Sequence, residues 1–140
     1  MGGDHTAGYS VTANILGVGG KIDPLKPEGQ VELSRNLQIA TAAVDTCGLC
    51  LFVAFAVLDN SDALPAVVDM LNAKYGFKLT GNDVVTLGQR ILGIERDFNF
   101  RAGFTAAADR LPDFFIDEAL PPHNTKFDIS GEDLQKVFNW

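Results

Sequence analysis

Cysteine, histidine, tryptophan and basic residues are all scarce in this sequence. It has two cysteines, two histidines and one tryptophan, with 11 lysines and arginines against 18 aspartates and glutamates. Two cysteines are too few for a disulfide-stapled scaffold. A net charge of -7 and a pI of about 4.6 argue against nucleic acid as a partner, because phosphates require clusters of lysine and arginine.

The sequence also lacks a segment long enough to cross a membrane. The longest apolar run, Leu49 to Leu58, has about half of the ~20 residues that a span requires. No basic start precedes an apolar stretch near the N-terminus, so we predict no secretory signal and a cytoplasmic location. The 140 residues, 46% hydrophobic and 21% charged, are typical of one globular domain over 1–140.

The first part of the chain divides into a segment rich in glycine and proline and a segment with apolar residues at helical spacing. Repeated glycines and prolines predict a long irregular loop over residues 1–29. A helix is then expected at about 30–46, with a bend or end at Gly48. Its evidence is an apolar face at helical spacing, made by Leu33, Leu37, Ala40 and Val44.

Further helices are predicted downstream. The run 49–58 is ambiguous between a buried helix and a buried strand, and its alanines and leucines favour a helix. A helix at 66–74 follows Pro65 in its first turn. The clearest amphipathic helix covers about 82–98, after a capping-box start at Thr80. A last short helix begins at Ser130.

Aromatic residues after position 98 follow no helical period. They are expected to bury apolar surface by wrapping over the helices, and include Phe100, Phe104, Phe114 and Phe115. The predicted fold is therefore all-α, an irregular bundle of about five to six helices with a long N-terminal loop and an irregular C-terminal wrap.

The stretch DTCGLC at 45–50 is the first candidate for chemistry. A redox dithiol would require a lowered pKa at a helix start, and a zinc site would require a second cysteine pair. A buried cysteine can also be a small hydrophobe, or one ligand of a cluster that takes further thiolates from elsewhere. Cys47 and Cys50 alone leave these alternatives open.

Two other residues, Asp45 and His5, could take part in a site. Asp45 is either a polar residue at a helix end or a carboxylate that accepts hydrogen bonds from a buried heterocycle. His5 lies among small residues in GGDHTAGY, where it is either a surface residue or an acid or base near neutrality. His123 in PPHNT is interpreted as an exposed loop residue.

Three motifs then follow one another along nearly the whole chain: DHTAG at 4–8, DTCGLC at 45–50, and ERDFNFRAGF leading into DRLPDFF at 95–115. In this order and spacing they resemble the C-terminal domain of the tungsten-containing aldehyde ferredoxin oxidoreductase family. The pattern D-x-x-G-L-C is specific when F-N-x-R-x-G and D-R-L-P follow it.

The resemblance implies an enzyme that oxidises an aldehyde with water to a carboxylic acid and passes two electrons to ferredoxin. It implies tungsten, or molybdenum, held by two pterin cofactors beside a 4Fe–4S cluster. Asp45 would bind the pterin, with backbone of Gly48 and Leu49 nearby, and Cys50 would ligate the cluster. His5 would be the catalytic residue near the metal and the substrate.

The resemblance also implies what is missing. The family's N-terminal and middle domains, the other cluster cysteines and a second acidic motif are absent, so the chain is expected to be an excised domain or a separately encoded piece. Its partners would be those domains, ferredoxin and a small aldehyde; alone it is expected to hold no cofactor and to be inactive. Cys47 falls at an open motif position and is not counted as a ligand. The alternatives are a thiol–disulfide module and a non-catalytic scaffold.

Overall fold

Helices make up the regular structure of the chain in a computed structural model, which describes residues 6–18 and 20–140. The α-helices are α1 Val11–Asn14, α2 Gln30–Thr46, α3 Val53–Asp59, α4 Ala63–Tyr75, α5 Gly81–Arg101, α6 Phe114–Asp117 and α7 Gly131–Gln135; short 3-10 helices lie at Ala106–Ala108 and Lys136–Phe138. Within these ranges no strand forms, and a single antiparallel bridge joins Leu120 to Thr125. The predicted all-α class is confirmed.

The core lies between α2 and α5, the two longest helices. Ile39, Ala42 and Leu92 form one buried cluster between them, with Ile91 packed at its side. A second cluster brings in α4: it joins Ala43, Val68 and Val84 and is surrounded by Leu64, Leu71 and Leu79. Burying an aliphatic side chain of this size stabilises the fold by about 1.5–3 kcal/mol, so these two clusters fix how the helices are arranged.

The predicted helix starts and ends are largely confirmed. The bounds of α2 match 30–46, while α5 extends beyond 82–98 at both ends. A capping box begins α5, since the backbone N–H of Thr80 donates to Asp83 at 2.7 Å. Ser130 caps α7 by accepting a hydrogen bond from the N–H of Asp133.

The irregular N-terminal segment contains one helical turn that the breaker pattern did not predict. In α1, Thr12 and Ala13 are buried. The side chain of Asn14 donates to Gln30 at 3.2 Å, and Gln30 in turn donates to the carbonyl of Asp23 at 2.9 Å. These bonds hold the segment against the start of α2.

The predictions of burial for two apolar regions were wrong. The run 49–58 is helical from Val53 onward, but no residue of α3 is buried and Phe52 is 79% exposed. In the C-terminal region, Phe104 and Phe114 are 63% and 52% exposed. Apolar composition predicts that a surface will be covered, but not that this chain covers it.

None of the helices in the described ranges has both the length and the apolar character needed to span a bilayer.

Candidate functional site

The DTCGLC motif lies where α2 ends, and its spacing follows from the geometry of that end. Cys47 is the C-cap and Gly48 adopts a left-handed backbone with φ of 73°. The N–H of Gly48 donates to the carbonyl of Asp45 at 2.9 Å, and the N–H of Leu49 donates to the carbonyl of Val44 at 3.2 Å. This pair of bonds is the Schellman motif, which favours glycine at the left-handed position.

The turn itself explains the glycine. A β-carbon added to Gly48 would meet no atom within 4 Å, so crowding does not require glycine there. The left-handed backbone conformation requires glycine, because a side chain makes this conformation unfavourable. The open space beside Gly48 also leaves room for a group that approaches the backbone closely.

Asp45 and Cys50 flank this turn, and both are exposed. Leu49 between them is half-buried. An exposed carboxylate can accept hydrogen bonds from N–H groups of a ring, and an exposed thiol that loses its proton is a soft ligand for iron. The donor chemistry of these two side chains therefore fits a pterin and one corner of an iron–sulfur cluster.

Cys47 has a different environment. It is half-buried and lines a cavity of about 520 Å³ between α2, α4 and α5, with Val44, Leu64 and Val67 among its apolar neighbours. Burial raises the pKa of the Cys47 thiol, because low polarity disfavours the thiolate. Both cysteines are free thiols. These properties fit the interpretation of Cys47 as a small packed residue.

Described side chains do not assemble a metal centre of their own. No three His, Cys, Asp or Glu residues come together in the ranges 6–18 and 20–140. Cys50 is therefore a single potential metal ligand, without two further ligands beside it in the described part of the chain. A cluster that takes four protein ligands would need three more from elsewhere.

The DHTAG motif is described from Thr6 onward, so His5 lies outside the described residues. Ala7 is buried, and a β-carbon on Gly8 would lie 3.0 Å from the hydroxyl oxygen of Ser34 in α2. The loop is thus packed closely on α2. Thr6 also lines a cavity of about 170 Å³ that α2 and the segment 51–58 complete. The structure therefore brings the loop after His5 to the chain after Cys50.

The third motif, ERDFNFRAGF, ends α5 in the same way that DTCGLC ends α2. Gly103 has φ of 95°, its N–H donates to the carbonyl of Phe100 at 3.0 Å, and the N–H of Phe104 donates to the carbonyl of Asn99 at 2.9 Å. Two of the motif glycines are thus required by helix ends.

Arg96 in this motif organises a network that sequence reasoning missed. Its guanidinium donates to Asp109 and to Gln135, each at 2.8 Å, and Gln135 donates to Asp109 at 3.2 Å. The guanidinium carbon also lies 3.7 Å from the ring centre of Phe138. The DRLP motif, which contains Asp109, could have indicated that Asp109 has a partner. Gln135 belongs to no motif that would indicate its place in the network.

The charge of Asp109 is stabilised by this network. Partial burial disfavours the carboxylate, but hydrogen bonds from Arg96 and Gln135 and the positive charge of Arg96 outweigh burial, so the pKa of Asp109 is lowered. The network joins α5, the segment after it and α7. His123, by contrast, is exposed, as predicted.

Comparisons with known proteins place the chain in a family. The sequence model described as "Aldehyde ferredoxin oxidoreductase, domains 2 & 3" matches residues 1–139. Proteins named "Tungsten-containing aldehyde ferredoxin oxidoreductase" from Pyrococcus furiosus and Thermococcus kodakarensis are each 36% identical over 122 residues, and that from Pyrococcus abyssi is 35% identical. The match covers 86% of this chain and 19% of each relative. The chain therefore belongs to the aldehyde ferredoxin oxidoreductase family and spans about a fifth of the length of these relatives.

Proposed function

We propose that this chain is the C-terminal part of a cytoplasmic tungsten or molybdenum oxidoreductase that converts aldehydes to carboxylic acids and passes the electrons to ferredoxin. The observation that carries the proposal is the turn at Gly48, which presents the exposed Asp45 and Cys50 on either side of an open backbone. Membership of the family supplies the chemistry that this turn would serve.

Each site residue has a proposed role. Asp45 would accept hydrogen bonds from the pterin, and the exposed Gly48 would let the ring approach the backbone of Gly48 and Leu49. Cys50 would lose its proton and give one thiolate to a 4Fe–4S cluster. His5 would hold or move a proton beside the substrate. Support for the first four comes from their position at the end of α2 and from the exposure of Asp45, Gly48 and Cys50.

The reaction removes two electrons from the substrate. An aldehyde and a water give a carboxylic acid, two electrons and two protons, and the electrons leave to ferredoxin. The metal–pterin group would supply the redox chemistry when bound. Asp45 of this chain would bind that group, and Cys50 would ligate the cluster through which the electrons pass. His5 would hold or move a proton beside the substrate.

The rest of the enzyme would cover this chain's exposed apolar surface. Phe52 and Phe98 are 79% and 70% exposed, although phenylalanine is among the residues that are most often buried. Because the chain matches only 19% of each relative's length, the additional part of such a protein would be large enough to cover these rings and to supply the other three cluster ligands.

A thiol–disulfide function is less well supported. A reactive dithiol requires a thiol whose pKa is lowered, whereas burial raises the pKa of Cys47. The pair also follows a helix end, not a strand that leads into a helix. A non-catalytic scaffold that kept the fold would still have the turn at Gly48, so the test below must detect the cluster itself.

The test compares two substitutions in the complete enzyme. Cys50→Ser should lose or degrade the cluster, because a hydroxyl replaces a soft anionic sulfur poorly, and electron transfer to ferredoxin should fall with it. Cys47→Ser is the matched control and should keep the iron and most of the activity. Iron content and the paramagnetic signal of the reduced cluster are measured in both. Equal loss in both variants would support a dithiol, and retention in both would remove Cys50 from the site.

A further inference from the structure

The cavity of about 170 Å³ between the DHTAG loop, α2 and α3 has no role in the site described above. Its wall includes Thr6, which directly follows His5, and Leu51, which directly follows Cys50. Its wall thus contains the chain neighbours of two proposed site residues, His5 and Cys50.

The wall of this cavity is almost entirely apolar. Its aliphatic and aromatic side chains come from α2 and the segment 51–58, and include Leu37, Ala40, Leu51, Ala54, Phe55 and Leu58. No described residue in the wall carries a charge. A charged group placed there would lose its hydration without a partner, which is unfavourable by several kcal/mol.

Hydroxyl groups interrupt the apolar wall on the side formed by α1 and α2. Thr12 and Thr41 are both buried and lie in the wall, and the hydroxyl of Thr12 donates to the carbonyl of Tyr9 at 3.0 Å. That bond fixes the rotamer of Thr12, so the wall is shaped in advance on this side. A neutral molecule with one polar end suits such a lining.

The volume of this cavity suits a small occupant, and one side of it is open, since Phe52 also lines it and is 79% exposed. An apolar protein cavity of roughly 150 Å³ is enough to hold benzene, so about 170 Å³ would take a single aromatic ring or a short aliphatic chain. The three other cavities are larger, and each has charged side chains in its wall: Lys26 and Lys126 in one, Arg96 and Asp109 in the second, and Arg35 in the third. An anionic substrate would find its partners there and not here.

We infer that this cavity holds the hydrocarbon part of the aldehyde, so that Ala54 and Phe55 limit its size and the enzyme selects small neutral aldehydes over anionic ones. The inference rests on the proposed function, because it assumes that the reacting carbon lies near His5. Ala54 and Phe55 are then residues that determine specificity, and neither takes part in the chemical step.

The experiment uses the complete enzyme and the ratio of kcat/KM for benzaldehyde to that for acetaldehyde. Ala54→Leu narrows the cavity and should lower the ratio about 10-fold or more, since a single methylene in an apolar pocket changes specificity by 10-fold or above. Ala56→Leu is the control: Ala56 belongs to the same helix but is exposed and does not line the cavity. It should leave the ratio unchanged. The wild-type enzyme should also prefer acetaldehyde to glyoxylate, a small anionic aldehyde.

Phe55→Ala provides an independent arm, because it enlarges the cavity and should raise kcat/KM for 2-naphthaldehyde relative to acetaldehyde. If Ala54→Leu does not fold, Phe55→Ala tests the inference on its own, and an unchanged ratio for 2-naphthaldehyde to acetaldehyde would overturn it. An unchanged ratio of kcat/KM for benzaldehyde to that for acetaldehyde in folded, iron-replete Ala54→Leu would overturn the inference, whether both values are retained or both fall equally. An enzyme that contains its metals but oxidises no aldehyde would contradict the proposed function as well, whereas altered aldehyde ratios are possible only if that function is correct.

Discussion

Gly88 of α5 lies directly against the backbone carbonyl of Ile39 in α2. A β-carbon at position 88 would overlap the Ile39 oxygen, and it would lie 3.0 Å from the carbonyl carbon and 3.1 Å from Cγ2 of Ile39. Since Ile39 also belongs to the core cluster with Leu92, the separation of α2 and α5 depends on a glycine at this point.

Gly88→Ala should therefore destabilise the chain. Alanine favours a helix over glycine by about 1 kcal/mol, but overlap with backbone must force the helices apart, and overpacking of this kind costs about 1–3 kcal/mol or more. After the helix preference of alanine is subtracted, we expect a net loss of about 1–2 kcal/mol and a midpoint lower by roughly 4–8 °C, measured by thermal unfolding of the 140-residue chain.

Gly93→Ala is the matched control in the same helix. A β-carbon there meets nothing within 4 Å and the residue is exposed, so the helix preference of alanine should dominate. We expect a gain of about 0.5–1 kcal/mol. If both variants were stabilised, the close approach of α5 to Ile39 would be wrong.

Helix positions were predictable, because their signals are local. The bounds of α2 follow from apolar spacing and from Gly48, and the start of α5 follows from Thr80 and Asp83, three residues apart. Burial was not predictable in the same way. Phe52 and Leu92 are both large and apolar, yet one is exposed and the other buried, because the difference depends on what packs against each helix.

The candidate site shows the same division. The turn that presents Asp45 and Cys50 could be predicted from DTCGLC, since its glycine is a local requirement of a helix end. The Arg96 network could not, because Asp109 and Gln135 lie 13 and 39 residues away in sequence. No periodicity connects positions so far apart.

The Arg96–Asp109 pair should give the chain an acid-sensitive component of stability. The pKa of Asp109 is lower in the folded chain than in the unfolded one, so its contribution is complete above the unfolded pKa of ~3.9 and is lost as pH falls through the folded pKa. Asp109→Asn should cost about 1 kcal/mol at pH 7, a value reduced for the 36% exposure of the side chain, and less below pH 4.

Asp97→Asn tests whether this effect is specific to the network. Asp97 pairs with Arg101 on the surface of α5, where the two side chains are 60% and 79% exposed. Such pairs contribute at most a few tenths of a kcal/mol. Denaturant unfolding of both variants from pH 7 to pH 3 provides the comparison. A pH-independent difference between Asp109→Asn and the wild-type chain would contradict the lowered pKa.

The 140-residue chain alone should assemble no stable 4Fe–4S cluster and oxidise no aldehyde. Cys50 would supply one thiolate of four, and the described residues offer no group of three potential ligands. The chain is purified without oxygen, reconstituted with iron and sulfide, and examined by absorbance and by aldehyde-dependent dye reduction. A stoichiometric cluster in the monomer would require ligands that our proposal does not include.

His5 should be essential for turnover in the complete enzyme. If its imidazole holds or moves a proton beside the aldehyde, His5→Ala should lower kcat by ~10²-fold or more, because a positioned acid or base contributes about that much. His123→Ala is the matched control, since His123 lies in an exposed loop and has no proposed role. Activity is measured from pH 5 to pH 9, together with iron and tungsten content and the thermal midpoint. The His5 variant should keep its metals and its stability and lose the part of the pH profile that reports a group titrating near neutrality. Loss of metal instead of rate would give His5 a structural role, and an unaltered rate would remove it from the site.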